Sequence, residues 1–504
     1  MPLSHRYARA TTRTARVLGA TVTAILVAAV LAPGAGAHGG GGPETAKKRA
    51  QYMDGVSVPV VTSPNVRLVT NVPDTAAISG VFAKSAPYFY VSSTDSITVY
   101  DVSDPLKPRP TGILANLVFE NEAVNYGEKR VAGVIQRFVL VGADLVEFSP
   151  TAIDHIGRSN EVMVVDVTDP THPYIRSRVA TRTNTHTVSC IRETDCQYAY
   201  TAGRNGKFSV VDLTDLDHPT ELGVFDSPAG GPNAAFTSGA GHKWNFDDAG
   251  YGVHTGSGGS ALFDVSDPTH PVLVNTTNAQ GVQSPWNDFI HHNSARPNAT
   301  NFRANTPPDV KRGNVLLVTE EDYENTDCAT AGSFQSWYVD TLKGNGTIRP
   351  LDRINPVGLG EGVATPNMAF CSAHWFDYHP AGLVAQGYYE GGLRIIDVRD
   401  ASNLRQYGYA ASGLGEVWDA YWVPQRSKSG VASSTAKTNI VYTVDAVRGI
   451  DVYTVDLPGA ASSAPLLGSA AVAGDPASLV FGLMLAGLTG LWVVRRRQLG
   501  VPRL

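Results

Sequence analysis

One short pattern recurs along the chain and limits its fold more than any other feature. Ser96–Pro105 (SITVYDVSDP) returns as Glu161–Pro170 (EVMVVDVTDP), Lys207–Asp215 (KFSVVDLTD), Ser260–Pro268 (SALFDVSDP) and Leu393–Asp400 (LRIIDVRD), with weaker copies at Ser336–Asp340 and Gly449–Leu457. Each copy is a β-branched and aromatic run closed by aspartates, where Asp bonds its own backbone and Pro presets the turn. A calcium reading of Asp101/Asp104 and Asp166/Asp169 lacks the other ligands of a calcium loop, so these residues read as turn formers. Seven copies spaced 46 to 76 residues apart imply one repeated β unit. The 50 glycines and 31 prolines among 504 residues suit short strands and tight turns, and 43% hydrophobic against 17% charged residues excludes a disordered chain.

The run resembles the LVIVD repeat, and residues 57–457 resemble an LVIVD-repeat family protein, which implies a β-propeller. Spacing supports the same fold. His374–Tyr378, Leu383–Tyr389, Leu393–Val398 and Gln406–Tyr409, separated by hairpin turns, make one four-stranded blade. Val66–Thr70 lies upstream of blade one and is expected to close the ring as the outer strand of blade seven. The expected fold is all-β: a seven-bladed β-propeller of four-stranded antiparallel blades, plus one C-terminal transmembrane helix.

Both ends carry targeting signals. Arg6, Arg9, Arg13 and Arg16, the apolar Val17–Leu31 and the small-residue site Ala35–Ala37 read as a signal peptide over 1–37, followed by a leader over 38–56. Residues 458–476 read as a flexible stalk, 477–494 as a transmembrane helix and 495–504 as a cytoplasmic tail begun by Arg495–Arg497. The expectation is a single-pass cell-membrane protein whose bulk is extracellular. The two ends hold eight of the 40 basic residues and no acid, so 32 bases face 46 acids outside, a balance near −14. Such a surface repels phosphate backbones, and nucleic acid is not an expected partner. Oxidation is the default there, and Cys190 and Cys196 are close enough to cross-link a hairpin, which leaves Cys328 with Cys371.

Histidines mark a candidate site. His242 precedes Ala249 as His374 precedes Ala381, by seven residues, and His291 precedes Pro297 as His374 precedes Pro380, by six. His186 opens the corresponding strand of blade three. Inner strands line a propeller's channel, so His186, His242, His291 and His374 are expected to converge as metal ligands at one mouth. Strand alternation assigns the adjacent His292 a structural role. The connections between second and third strands share that face and bring Glu320, Glu321, Asp322 and Glu390, with Glu320 or Glu321 as a candidate general base. Imidazole and carboxylate donors suit a transition metal: copper, zinc or iron. Selenium-binding proteins with methanethiol oxidase activity are similar in architecture, being propellers with a histidine-rich, copper-binding site, with no motif matched residue by residue.

The leading expectation is a membrane-anchored extracellular propeller whose histidine-rich mouth binds a small-molecule ligand or a surface protein. The alternative is a metal-dependent extracellular enzyme, an oxidoreductase or hydrolase, using the same cluster. No P-loop, nucleophile elbow, HExxH or Rossmann fingerprint is present, which disfavours those chemistries. Specificity is expected in the long loops Thr111–Arg137 and Pro297–Arg312.

Overall fold

The computed structural model describes residues 43–459 apart from 74–75, 94–95, 116–121, 123, 144–159, 204–205, 231–240, 278–285, 287–288, 323–327, 329–330, 345–347 and 356–370. The chain divides into two compact units, Met1–Val455 and Asp456–Leu504. The signal peptide, the transmembrane helix over 477–494 and the cytoplasmic tail lie outside the described residues, as does the stalk beyond Gly459. Among the described residues, no helix is long and apolar enough to cross a membrane.

Seven antiparallel sheets form the first unit. Their inner strands are, in blade order, Ala77–Phe82, Asn125–Val131, Thr187–Cys190, Gly241–Phe246, Ile290–Ala295, Phe376–His379 and Val417–Arg426. Each starts a four-stranded meander running outward from the axis, the arrangement of a seven-bladed β-propeller. The outer strand of blade seven is Val66–Val72, which pairs Val66 with Val455 and Val72 with Ile450. Closure by this N-terminal strand was expected from the sequence. Blade six gains a fifth strand that was not: Val60–Thr62 pairs with Ala410–Ser412.

The repeat owes its composition to burial on both faces. In blade two, Val162 and Val164 pack toward blade three with Val188 and Val211, whereas Met163 and Val165 pack toward blade one with Tyr90 and Val99. Consecutive side chains point to opposite faces of a strand, so a strand sandwiched between two blades is buried on both faces and mostly apolar through its middle. The closing aspartates are turn formers. Asp166 Oδ1 accepts from Thr168 N at 2.8 Å and Asp169 Oδ1 from Thr171 N at 2.9 Å, and Asp264 and Asp267 repeat the pair in blade four.

Residues 43–53 of the expected leader form a helix, Pro43–Met53. Thr45 Oγ1 donates to Glu416 at 2.8 Å, Lys48 pairs with Glu390, and Arg49 donates to the carbonyls of Val447 and Pro73. These polar bonds hold the helix on blades six and seven. The two disulfides are Cys190–Cys196 and Cys328–Cys371, as the sequence implied.

Candidate metal centre

The strands that start each blade deliver imidazoles to one buried point. His186 immediately precedes the inner strand of blade three, His242 is the second residue of that of blade four, and His374 lies two residues before that of blade six. His292 comes from blade five, Glu122 from three residues before the inner strand of blade two, and Glu321 ends the strand Val315–Glu321. His292, His374, Glu122 and Glu321 are fully buried, and His186 is the most open of the six at 9% exposed. The expected open mouth is thus a sequestered cluster among the described residues.

Glu122 sits at the convergence. Its Oε2 lies 2.8 Å from His186 Nε2, and its Oε1 lies 3.3 Å from His242 Nε2 and 3.1 Å from His374 Nε2. His292 Nε2 is hydrogen-bonded to the same oxygen. Glu321 flanks the group, 3.7 Å from His292 Nε2 and 3.9 Å from His374 Nε2. Glu122, His242 and His292 form one set with metal-ligand spacing, and His292, Glu321 and His374 form a second.

Backbone carbonyls set the tautomers. His242 Nδ1 donates to the His292 carbonyl at 3.1 Å, and His374 Nδ1 donates to the Trp418 carbonyl at 3.0 Å. A carbonyl only accepts, so Nδ1 carries a proton in both rings; a neutral ring so held turns its Nε2 lone pair to the cluster, as in protein metal sites. Burial holds His242 and His292 below the usual histidine range, keeping both neutral. His374 differs: burial opposes its charge, but Asp419 and then Glu122 outweigh that and raise it to about 9. His374 is thus protonated on both nitrogens, with its Nε2 turned to Glu122. Burial and the Glu321 carboxylate push the Tyr389 phenol far up, so it remains a donor to Glu321.

An indole forms one wall. The Trp375 ring lies 4.6 Å from that of His292 and 5.8 Å from that of His374, with Lys243 Nζ 5.1 Å from its centroid. Lys243 donates to Asn125 Oδ1 at 2.7 Å, and burial lowers its pKa to about 7.

Of the residues expected from sequence, His186, His242, His374 and Glu321 are brought together, and His291 and Glu320 are not. His291 turns away, contacting Ser260 Oγ through Nδ1 and donating from Nε2 to the Trp286 carbonyl at 2.7 Å. The reason is a β-bulge. His291 pairs with Glu320 and Ser294 with Val318, so two residues, His292 and Asn293, oppose Thr319 alone. The extra residue reverses side-chain parity and hands the inward position to His292, which strand alternation had made structural. Glu320 accepts from Phe289 N at 2.9 Å, on the far side of the strand from Glu321. Asp322 N donates to Ser372 Oγ at 2.7 Å, and Glu390 is taken by Lys48. Glu122 was missed, although one signal pointed to it: like His186 and His374, it falls just before an inner strand.

Four imidazoles and two carboxylates are the donor set of zinc, copper or iron, and two carboxylates balance the charge of one dication in a buried place. His242, His292 and His374 would hold such an ion through Nε2, with Glu122 or Glu321 supplying oxygen.

The molecule is thus a seven-bladed β-propeller with a buried His/Glu cluster at its axis. More particularly, it carries LVIVD repeats: the model of the LVIVD repeat family matches residues 155–181, 196–227 and 259–279, in blades two, three and four. No curated protein matches the chain. Among solved structures, it is similar to the β-propeller domain of Cps50 (Swd1) from Myceliophteria thermophila, at 11% identity and a TM-score of 0.47, over 78% of this chain and 100% of that one.

Proposed function

We propose that this propeller is a metal-binding protein of the cell surface, holding one transition-metal dication, copper, zinc or iron, among Glu122, His242, His292, Glu321 and His374. The observation that carries the reading is the pair of Nδ1–H bonds to the carbonyls of His292 and Trp418, which aim Nε2 of His242 and of His374 from two blades at one buried point, where an incoming dication would displace the His374 proton. Packing alone requires no such tautomer. The propeller supplies the rigid frame, and the bound ion completes a binding platform for a small molecule or a partner protein. Residues 1–37 and 477–494 support export and single-pass anchoring by their apolar runs and flanking arginines.

Elemental analysis of the full chain, purified without a histidine tag, tests the metal reading. About one equivalent of a single transition metal is expected, falling several-fold in His242→Ala/His374→Ala. Less than about a tenth of an equivalent, with none regained on dialysis against zinc, copper or iron, sinks it. Anchoring is tested separately: the chain should stay with membranes through alkaline carbonate and leave them in detergent, and release by carbonate would contradict the anchor.

A further inference from the structure

Tyr389 is a bulky aromatic residue at φ +47°, in the left-handed region that disfavours large side chains. Its neighbours impose this conformation. Tyr389 N donates to the Val417 carbonyl at 2.7 Å and Val417 N donates back to the Tyr389 carbonyl at 2.9 Å, an isolated bridge between blades six and seven. Gly391 N and Gly392 N close the turn onto the carbonyls of Tyr388 and Tyr389, and the buried Arg394 guanidinium donates to the Gly391 carbonyl at 2.9 Å. Glycine would adopt this geometry without cost. The chain instead places there a ring 4.7 Å from that of His374 and 5.3 Å from that of Trp418, with a hydroxyl 2.5 Å from Glu321 Oε1. Residues held in such conformations gather where the surrounding structure over-determines them for a purpose.

We propose that Tyr389 is a positioning residue of the metal centre: its hydroxyl orients Glu321 as a carboxylate ligand and its ring fixes the plane of His374. The proposal rests on the metal reading above. Core packing accounts for the ring, which clusters with Ile78, Trp418 and Ala446. It does not account for the hydroxyl, since phenylalanine would pack equally well. Partners that hydrogen-bond a metal ligand fix its orientation, and losing one lowers metal affinity by roughly 10- to 100-fold. His292, Glu321 and His374 thereby become a ligand set whose geometry is held from blade six as much as from blade five.

The test compares the full chain with Tyr389→Phe and Tyr388→Phe. Tyr388 is an equally buried neighbour whose hydroxyl donates to the Ile354 carbonyl, away from the cluster. Each chelator-treated protein is titrated with Co2+, reading affinity and the visible absorption of bound cobalt, with melting of the ion-free form measured alongside. Tyr389→Phe should bind Co2+ roughly 10- to 100-fold more weakly with an altered spectrum, while Tyr388→Phe binds as the parent does. Unchanged affinity and spectrum in Tyr389→Phe overturn the proposal and leave the metal reading standing. Equal losses of affinity and melting temperature in both variants assign Tyr389 to packing and also overturn it. A parent chain that takes up no Co2+ overturns proposal and metal reading together.

Discussion

At the scale of single residues, the cluster depends on close approaches that leave no room for substitution. A Cβ on Gly387 would lie 2.5 Å from the Trp418 carbonyl oxygen, the atom that accepts from His374 Nδ1. Gly387→Ala should therefore displace that carbonyl, turn the His374 ring and lower metal uptake several-fold, as dialysis followed by elemental analysis would register. Uptake equal to that of the parent would show that the carbonyl does not orient the ring. His254 supplies a second residue-scale prediction, outside the proposed ligands. Burial lowers its pKa from 6.5 to about 3, and its ring stacks on Trp244 at 4.6 Å. Between those two values the unfolded chain binds a proton that the folded chain does not. This contribution is complete above pH 6.5 and is lost as pH falls toward 3. Denaturant unfolding should show stability falling with a slope approaching about 1.4 kcal/mol per pH unit from this group. His254→Phe, which keeps the stacking, should flatten the curve; an unchanged slope would mean that other groups set it.

At the scale of elements, the repeat was legible because one short run encodes two structural demands. Its predominantly apolar stretch reports burial on both faces, and its aspartates report the turn that follows. The fully buried Val164 should lose about 1–3 kcal/mol on substitution by Ala. Val272, 61% exposed on an outer strand, should change by about 0.5 kcal/mol or less. Equal losses in the two variants, measured by chemical denaturation, would deny that sandwiching between blades drives the pattern. What the sequence hid has physical causes. The bulge at His292 and Asn293 inserts one residue into a strand without any marker in the local composition, so counting from a proline chose His291. Glu122 belongs to a connection with no repeated neighbour against which to align it. The helix Pro43–Met53 docks through Thr45, Lys48, Arg49 and Tyr52 rather than an apolar stripe, so its sequence reads as solvated.

At the scale of the molecule, closure and cross-linking hold the ring in which the cluster forms. The N-terminal strand Val66–Val72 completes the last blade, and each disulfide closes a loop within the first unit. The Cys328–Cys371 bridge spans 43 residues and ties the segment after Glu321 to the one before His374, whereas Cys190–Cys196 spans six. By loop-closure entropy, removing the longer bridge should cost about 4 kcal/mol and the shorter about 2 kcal/mol. Paired serine variants compared by equilibrium unfolding would contradict this if the shorter bridge contributed more. The proposed ion, held at the axis by imidazoles of several blades, is best sought by X-ray absorption at the edge of whichever transition metal copurifies with the chain. A first shell containing about three imidazole nitrogens at roughly 2.0–2.1 Å is expected, diminished in His242→Ala and in His374→Ala. A shell of oxygen scatterers without the imidazole signature, unaltered in both variants, would place the metal elsewhere and contradict a site at the His/Glu cluster.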